Sequence, residues 1–204
     1  MSSKTLYYAH DPMCSWCWAF RPTWSSIVEH LPGDVQAQRL LGGLAPDSDA
    51  PMPPDMQRYL QQTWQRIQQV VPGTRFNFAF WERCQPRRST YPACRAVLAA
   101  SAQDPAQEEA MILAIQEAYY LGARNPADTA TLVELAAGLG LDAARFAADL
   151  DAPHTRQELD RQIALTRRLG VHGFPGLVLE EGGRYRPVAF DYNEPLSVLA
   201  QLQA

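Results

Sequence analysis

The chain has 204 residues, 47% hydrophobic and 20% charged, which allows one large domain, or one domain with an insertion, and excludes a disordered chain. Its 18 basic and 22 acidic residues give a formal charge of −4, which argues against nucleic acid or an anionic membrane as the main partner. No apolar run approaches the ~20 residues of a membrane helix. Residues 1–10 lack the apolar core and cleavage box of a secretory leader, so the expected location is the cytoplasm.

Thr5 to Ala9 is a short apolar, aromatic run that predicts a buried strand, broken by His10-Asp11-Pro12-Met13. From Ser15, apolar residues at spacings of three and four (Trp16, Phe20, Trp24, Ile27, Leu31) predict a helix with a kink near Pro22. Val35 to Leu41 reads as a second strand closed by Gly42-Gly43. Residues 45–54 are proline-rich and read as a connector. Residues 55–71 have a helical period, whereas the alternation of Phe76, Phe78 and Phe80 predicts an extended segment. Further helices are expected over 93–102, from Asp104-Pro105 to about Leu121, from Asp128 or Thr129 to about Leu139, and from Asp142 to about Leu150. Residues 46–152 therefore hold about five helical segments and little strand. Pro153 opens a helix ended by Gly170, and 171–176 is rich in turn residues. Leu177 to Leu179, a turn at Glu181-Gly182-Gly183, and Arg184 to Val188 predict a hairpin, and Glu194 to Leu202 a closing helix.

Four cysteines are too few for a disulfide scaffold, but two of them form Cys14-Ser15-Trp16-Cys17 where the first strand hands over to the first helix. The first turn of a helix exposes unpaired N–H groups and a partial positive charge, which favour a thiolate. A second sulfur one turn on can resolve a mixed disulfide. Cys14 is the expected nucleophile and Cys17 the resolving thiol. A zinc site would need two more ligands. Cys84, Cys94, His10, His30, His154 and His172 supply no second short-spaced pair, so no metal is expected. Gly173-Phe174-Pro175 stands before an apolar strand. A cis-proline there would turn the preceding backbone groups outward, toward an extended substrate.

These two motifs, with the β-α-β start and the α-β-β-α finish, resemble the thioredoxin fold. The helical block between the halves resembles the DsbA-like branch, which includes FrnE-type oxidoreductases and 2-hydroxychromene-2-carboxylate isomerases. The resemblance rests on Asp11-Pro12-Met13-Cys14-Ser15-Trp16-Cys17-Trp18 and Val171-His172-Gly173-Phe174-Pro175. It implies an α/β, thioredoxin-like fold interrupted by an all-helical insertion: residues 1–45 and 153–204 form the thioredoxin-like domain and 46–152 the insertion. It also implies a thiol–disulfide oxidoreductase with Cys14, Cys17 and Pro175 as catalytic residues. Ser15, Trp16, Gly173 and Phe174 would meet the substrate, a protein or small-molecule thiol or disulfide. No dissociable cofactor is implied, and glutathione is the small partner it admits. The alternative on the same fold is a glutathione-dependent isomerase or transferase; relatives of that type carry Ser at the position of Cys14.

Other residues leave two readings open. Asp11 is a turn residue before Pro12, or a carboxylate that acts as base for Cys17 or raises nearby thiols. Cys94 reads as core and Cys84 as irregular loop, although some FrnE-type proteins carry an accessory pair. Arg87-Arg88 reads as a solvated pair that could also meet an anion, and His172 as loop surface that could touch substrate.

Overall fold

The computed structural model describes residues 4–203. The first strand, β1 (Lys4–His10), runs into α1 (Ser15–Glu29), which crosses over to β2 (Val35–Leu41). Because α1 provides a crossover, β2 pairs parallel to β1, in register Lys4 with Val35 through His10 with Leu41. The late strand β3 (Gly176–Glu181) pairs antiparallel with the other edge of β1, and β4 (Arg184–Pro187) closes a hairpin on β3. The hairpin turns at Gly182 and Gly183, both at positive φ, 58° and 80°, a conformation glycine adopts without a Cβ clash. The sheet order is β2-β1-β3-β4, which puts the strand leading to Cys14 in the middle, beside the strand that follows Pro175.

Between β2 and the later strands come α2 (Pro54–Val70), α3 (Phe80–Arg83), α4 (Tyr91–Gln103), α5 (Gln107–Tyr120), α6 (Thr129–Gly138), α7 (Ala143–Leu150) and α8 (Pro153–Arg168); α9 (Pro195–Leu202) follows β4. This is the expected α/β fold with a helical insertion. Among the described residues no helix is long and apolar enough to cross a membrane.

Two large clusters bury the apolar surface. One joins Leu6, Tyr8, Phe20, Trp24, Leu177, Leu179 and Val198, and packs α1 and α9 on the sheet. The other gathers Trp64, Phe80, Met111, Ile115, Tyr120, Leu132 and Phe146 from the inserted helices, and takes in Met13 and Leu41. The helical core thus reaches the residue preceding Cys14. Fully burying one such side chain contributes about 1.5–3 kcal/mol. Arg95, 4% exposed, donates to both carboxylate oxygens of Asp47 at 2.9 Å, to Asp151 at 3.0 Å and to the Leu150 carbonyl at 2.8 Å. It ties the connector after β2 to α4 and to the α7–α8 junction.

Several expectations change. Residues 76–80 are not a strand: Phe80 begins α3, which makes six inserted helices before α8 where five were expected. The three phenylalanines alternate because each turns toward one indole, with Phe76, Phe78 and Phe80 centred 4.8, 5.5 and 6.1 Å from Trp64. α5 begins at Gln107 rather than at Asp104-Pro105, because Asp104 closes a turn by accepting the Ala106 N–H at 2.9 Å. Asp142 caps α7 by accepting the Arg145 N–H at 2.9 Å. Asp128 precedes α6 without a side-chain cap bond; Arg87 occupies its carboxylate at 2.6 Å. α1 runs through Pro22 as one assigned helix.

Candidate active site

The chain leaves the sheet after His10, turns through Asp11 to Met13, and enters α1 with Cys14 as its N-cap residue, in extended conformation. The Cys14 N–H donates to the Asp11 carbonyl and the Trp18 N–H to the Cys14 carbonyl, both at 3.0 Å. These bonds set the Cys14 side chain at the opening turn of the helix. The Phe174–Pro175 bond is cis, and Pro175 leads directly into β3. The Cys14 Sγ lies 3.4 Å from the Phe174 carbonyl oxygen. The two motifs, separated by most of the sequence, therefore meet at the end of the central strands.

Cys17 lies one turn on and is 1% exposed, against 6% for Cys14. Burial pushes the Cys17 thiol well above its ordinary range, helped by its hydrogen bond and charge interaction with Cys14 and by the charge of Asp11. Cys17 thus holds its proton at neutral pH. Burial and the two sulfurs also raise the hydroxyls of Tyr8, Tyr120 and Tyr192. His10, 1% exposed, is held neutral: burial lowers it from 6.5 to about 3, and the charge of Arg39 adds to this.

Asp11 is fully buried and its carboxylate is a hub. One oxygen accepts the Met13 N–H at 2.8 Å. The other accepts the Leu44 N–H at 2.7 Å, the Thr90 hydroxyl at 2.6 Å and the Cys94 thiol at 3.5 Å. Burial raises the carboxyl while these donors hold it down, and the net direction is upward. Of the readings open for Asp11, the turn before Cys14 is seen in its bonds to the Met13 and Cys14 N–H groups, and its charge also pushes the Cys94 thiol up.

A cavity of about 170 Å³ opens on Cys14. Met13, Ser15, Trp16 and Phe174 line it beside Cys14, and Met52, Tyr59, Leu60, Thr63 and Trp64 line it from the connector and α2; Leu44, Arg87, Arg88, Thr90 and Tyr119 complete it. Trp16 stands at this rim with its ring 4.9 Å from that of Tyr192. Phe174 lays its ring on Gly42, where an added Cβ would stand 2.0 Å from ring carbons. Gly173 and His172 are exposed and do not line the cavity. Cys84 and Cys94 are free thiols with separate partners: Cys84 donates to the Ala123 carbonyl at 3.2 Å and Cys94 to Asp11. Arg87 is neutralised by Asp128 and also donates to the Ala127 carbonyl at 2.7 Å. Sequence reasoning missed Met52, Tyr59, Leu60 and Tyr119; they carry no motif, and only the packing of the inserted helices brings them to Cys14. Among the described residues no three His, Cys, Asp or Glu side chains assemble into a metal-ligand set.

A dithiol at a strand-to-helix junction, facing a cis-proline loop at the end of a four-stranded mixed sheet, defines a thioredoxin-fold protein. With six helices set between β2 and α8, the chain belongs to the family of DSBA-like thioredoxin domains, whose family model matches residues 7–202. A candidate protein disulfide isomerase of Nitrosomonas europaea is similar at 29% identity and a TM-score of 0.83, over 98% of this chain and 96% of that one. The cytosolic disulfide reductase DsbM of Pseudomonas aeruginosa is 30% identical with a TM-score of 0.75, over 98% of this chain and 95% of that one, and has also been solved with GSH. The ClpXP adapter protein SpxH of Bacillus subtilis is 22% identical over 203 residues, 97% of this chain and 67% of that protein.

Proposed function

We propose that this protein is a cytoplasmic thiol–disulfide oxidoreductase that works as a disulfide reductase, with glutathione as its small-thiol partner and no dissociable cofactor. The observation that carries the reading is the Cys14 Sγ at 3.4 Å from the carbonyl before cis-Pro175, inside a cavity, with a protonated thiol one turn behind it. The 30% identity to a cytosolic disulfide reductase over nearly the full chain supports the direction and the compartment.

In this mechanism the Cys14 thiolate attacks one sulfur of a substrate disulfide. A Cys14–substrate S–S bond forms, the substrate S–S bond breaks, and one half leaves as a thiolate. That thiolate takes the proton of Cys17. The Cys17 thiolate then attacks the Cys14 sulfur, forms the Cys14–Cys17 disulfide and expels the second half as thiolate, which water protonates. Two electrons pass from the dithiol to the substrate, and two molecules of glutathione restore the dithiol as they become glutathione disulfide. Pro175 and the Phe174 carbonyl hold the substrate chain against Cys14, while Ser15 and Trp16 shape the entrance. Gly173, exposed beside them, meets only the outer part of a longer substrate.

The test is Cys17→Ser. The variant is expected to lose multiple turnover and to accumulate a Cys14 mixed disulfide, seen by mass spectrometry as the mass of one substrate half. A glutathione-dependent isomerase or transferase would keep its activity in this variant, and that result would overturn the reading.

A further inference from the structure

We infer that Arg88 is the specificity-determining residue of this site: it anchors a carboxylate on a small thiol or disulfide whose sulfur meets Cys14. The inference rests on the oxidoreductase reading and assigns its substrate class.

Arg88 stands out by what surrounds it. Among the described residues it is the one arginine not exposed to solvent that has neither a carboxylate within 4.0 Å nor a hydrogen-bond acceptor. The others of that kind are all engaged. Arg21 and Arg39 meet Glu109, Arg87 meets Asp128, Arg95 meets Asp47 and Asp151, Arg124 meets Glu134, and Arg186 donates to the Gln201 carbonyl. None of its guanidinium nitrogens is shut off from solvent, so the fork stands free to meet a ligand. It lines the same cavity as Cys14, and no Asp or Glu lines that cavity. The neighbouring Arg87 already shares its charge with Asp128, so Arg88 supplies the uncompensated charge. A carboxylate accepts two parallel bonds from such a fork, so an anionic ligand gives it the partner it lacks.

The size of the cavity selects the ligand. Pockets that enclose a drug-sized molecule measure about 300–1,000 Å³, and one of ~150 Å³ holds a benzene ring. At about 170 Å³ the cavity takes one side-chain-sized arm. The match is half of a small disulfide bearing a carboxylate a few bonds from sulfur, as in short cysteinyl peptides. The apolar wall of Met52, Leu60 and Trp64 fits the methylene carbons between the two groups. In the exchange, the carboxylate keeps its charge and place while the S–S bond passes to Cys14.

The test uses the reduced full chain and two probes of near-equal size: dithiodipropionate, which is anionic, and its diamide, dithiodipropionamide, which is neutral. Stopped-flow tryptophan fluorescence gives the second-order rate constant for each. Arg88→Gln is expected to lower the anionic-to-neutral ratio about 30-fold, as loss of one charge-assisted contact does, with Arg88→Lys recovering most of it. A ratio that stays within twofold in Arg88→Gln overturns the inference and leaves the oxidoreductase reading standing. If the unaltered reduced protein reacts with neither probe, both fail. A binding arm needs no variant. Methylthiopropionate, a thioether that cannot exchange, is expected to compete with dithiodipropionate, and its methyl ester is not; equal competition by both refutes the carboxylate anchor. Should the rate with an oxidised protein whose disulfides are intact fall by the same factor in Arg88→Gln, the carboxylate belongs to a polypeptide and the small-molecule assignment fails.

Discussion

Replacing His10 with Phe isolates a pH-dependent term in the stability of this protein. His10 ends β1, is 1% exposed and stacks on Tyr8 at 5.0 Å, and its Nε2 has no partner. Burial and Arg39 lower its pKa from 6.5 to about 3. The folded protein therefore refuses a proton that the unfolded chain accepts, and the sign follows. The contribution is fully present above about pH 6.5 and is lost as the pH falls through the window toward about 3. From about pH 7.5 to about pH 5 the loss from this residue alone is about 2 kcal/mol, since each unit of pH below the unfolded value costs about 1.36 kcal/mol until the folded value is reached. In His10→Phe a ring of similar shape remains and nothing titrates. Urea unfolding of both proteins across this range, followed by tryptophan fluorescence, isolates the difference from the carboxylates common to both. The wild type should lose about 2 kcal/mol more than the variant, a shift of about 1 M in the urea midpoint. Parallel pH profiles, agreeing within about 0.5 kcal/mol, would show that His10 titrates freely in the fold and would falsify the account of its burial.

Gly42→Ala should cost about 1–3 kcal/mol by forcing the Phe174 ring off the strand end, whereas Gly33→Ala, where a Cβ meets nothing within 4 Å, should stay within about 0.5 kcal/mol; urea midpoints compare them, and equal costs refute the packing argument. Around Arg95 the two sides of the network should differ. The guanidinium is 4% exposed but the Asp47 and Asp151 side chains are 45% and 58% exposed. Converting both aspartates to Ala strands a buried charge and should cost about 3–5 kcal/mol, while Arg95→Met leaves two carboxylates that water can solvate and should cost less than about 2 kcal/mol. The reverse order in the same unfolding assay would contradict this.

The fold was legible where pattern and chain order carry the information. β2 spans the predicted Val35–Leu41, because a strand closed by two glycines has few alternatives. The hairpin at Gly182-Gly183 announces itself through the turn its backbone requires. Phe76, Phe78 and Phe80 misled because alternation marks a strand only when one face is buried by a sheet. Here the common neighbour is the ring of Trp64, a helix away in sequence. Within the site, Cys14, Trp16, Cys17 and Pro175 were legible as compact motifs at the ends of strands. The opposing wall was not. Met52, Leu60 and Tyr119 reach Cys14 only through the packing of the inserted helices, and no spacing along the chain encodes that meeting. Asp11 was open between a turn residue and a carboxylate acting on the thiols, and its role as a hub was hidden because its partners Leu44, Thr90 and Cys94 lie 33, 79 and 83 residues away.

That carboxylate has a mechanical consequence. It clasps the lead-in to α1, the exit of the neighbouring strand and the head of α4 at a single buried point. Swinging the helical layer outward would tear donors from a charge that water does not reach. One side of the gap beside the Cys14 sulfur, formed by Met13, Leu44 and Thr90, is therefore pinned to that single buried anion.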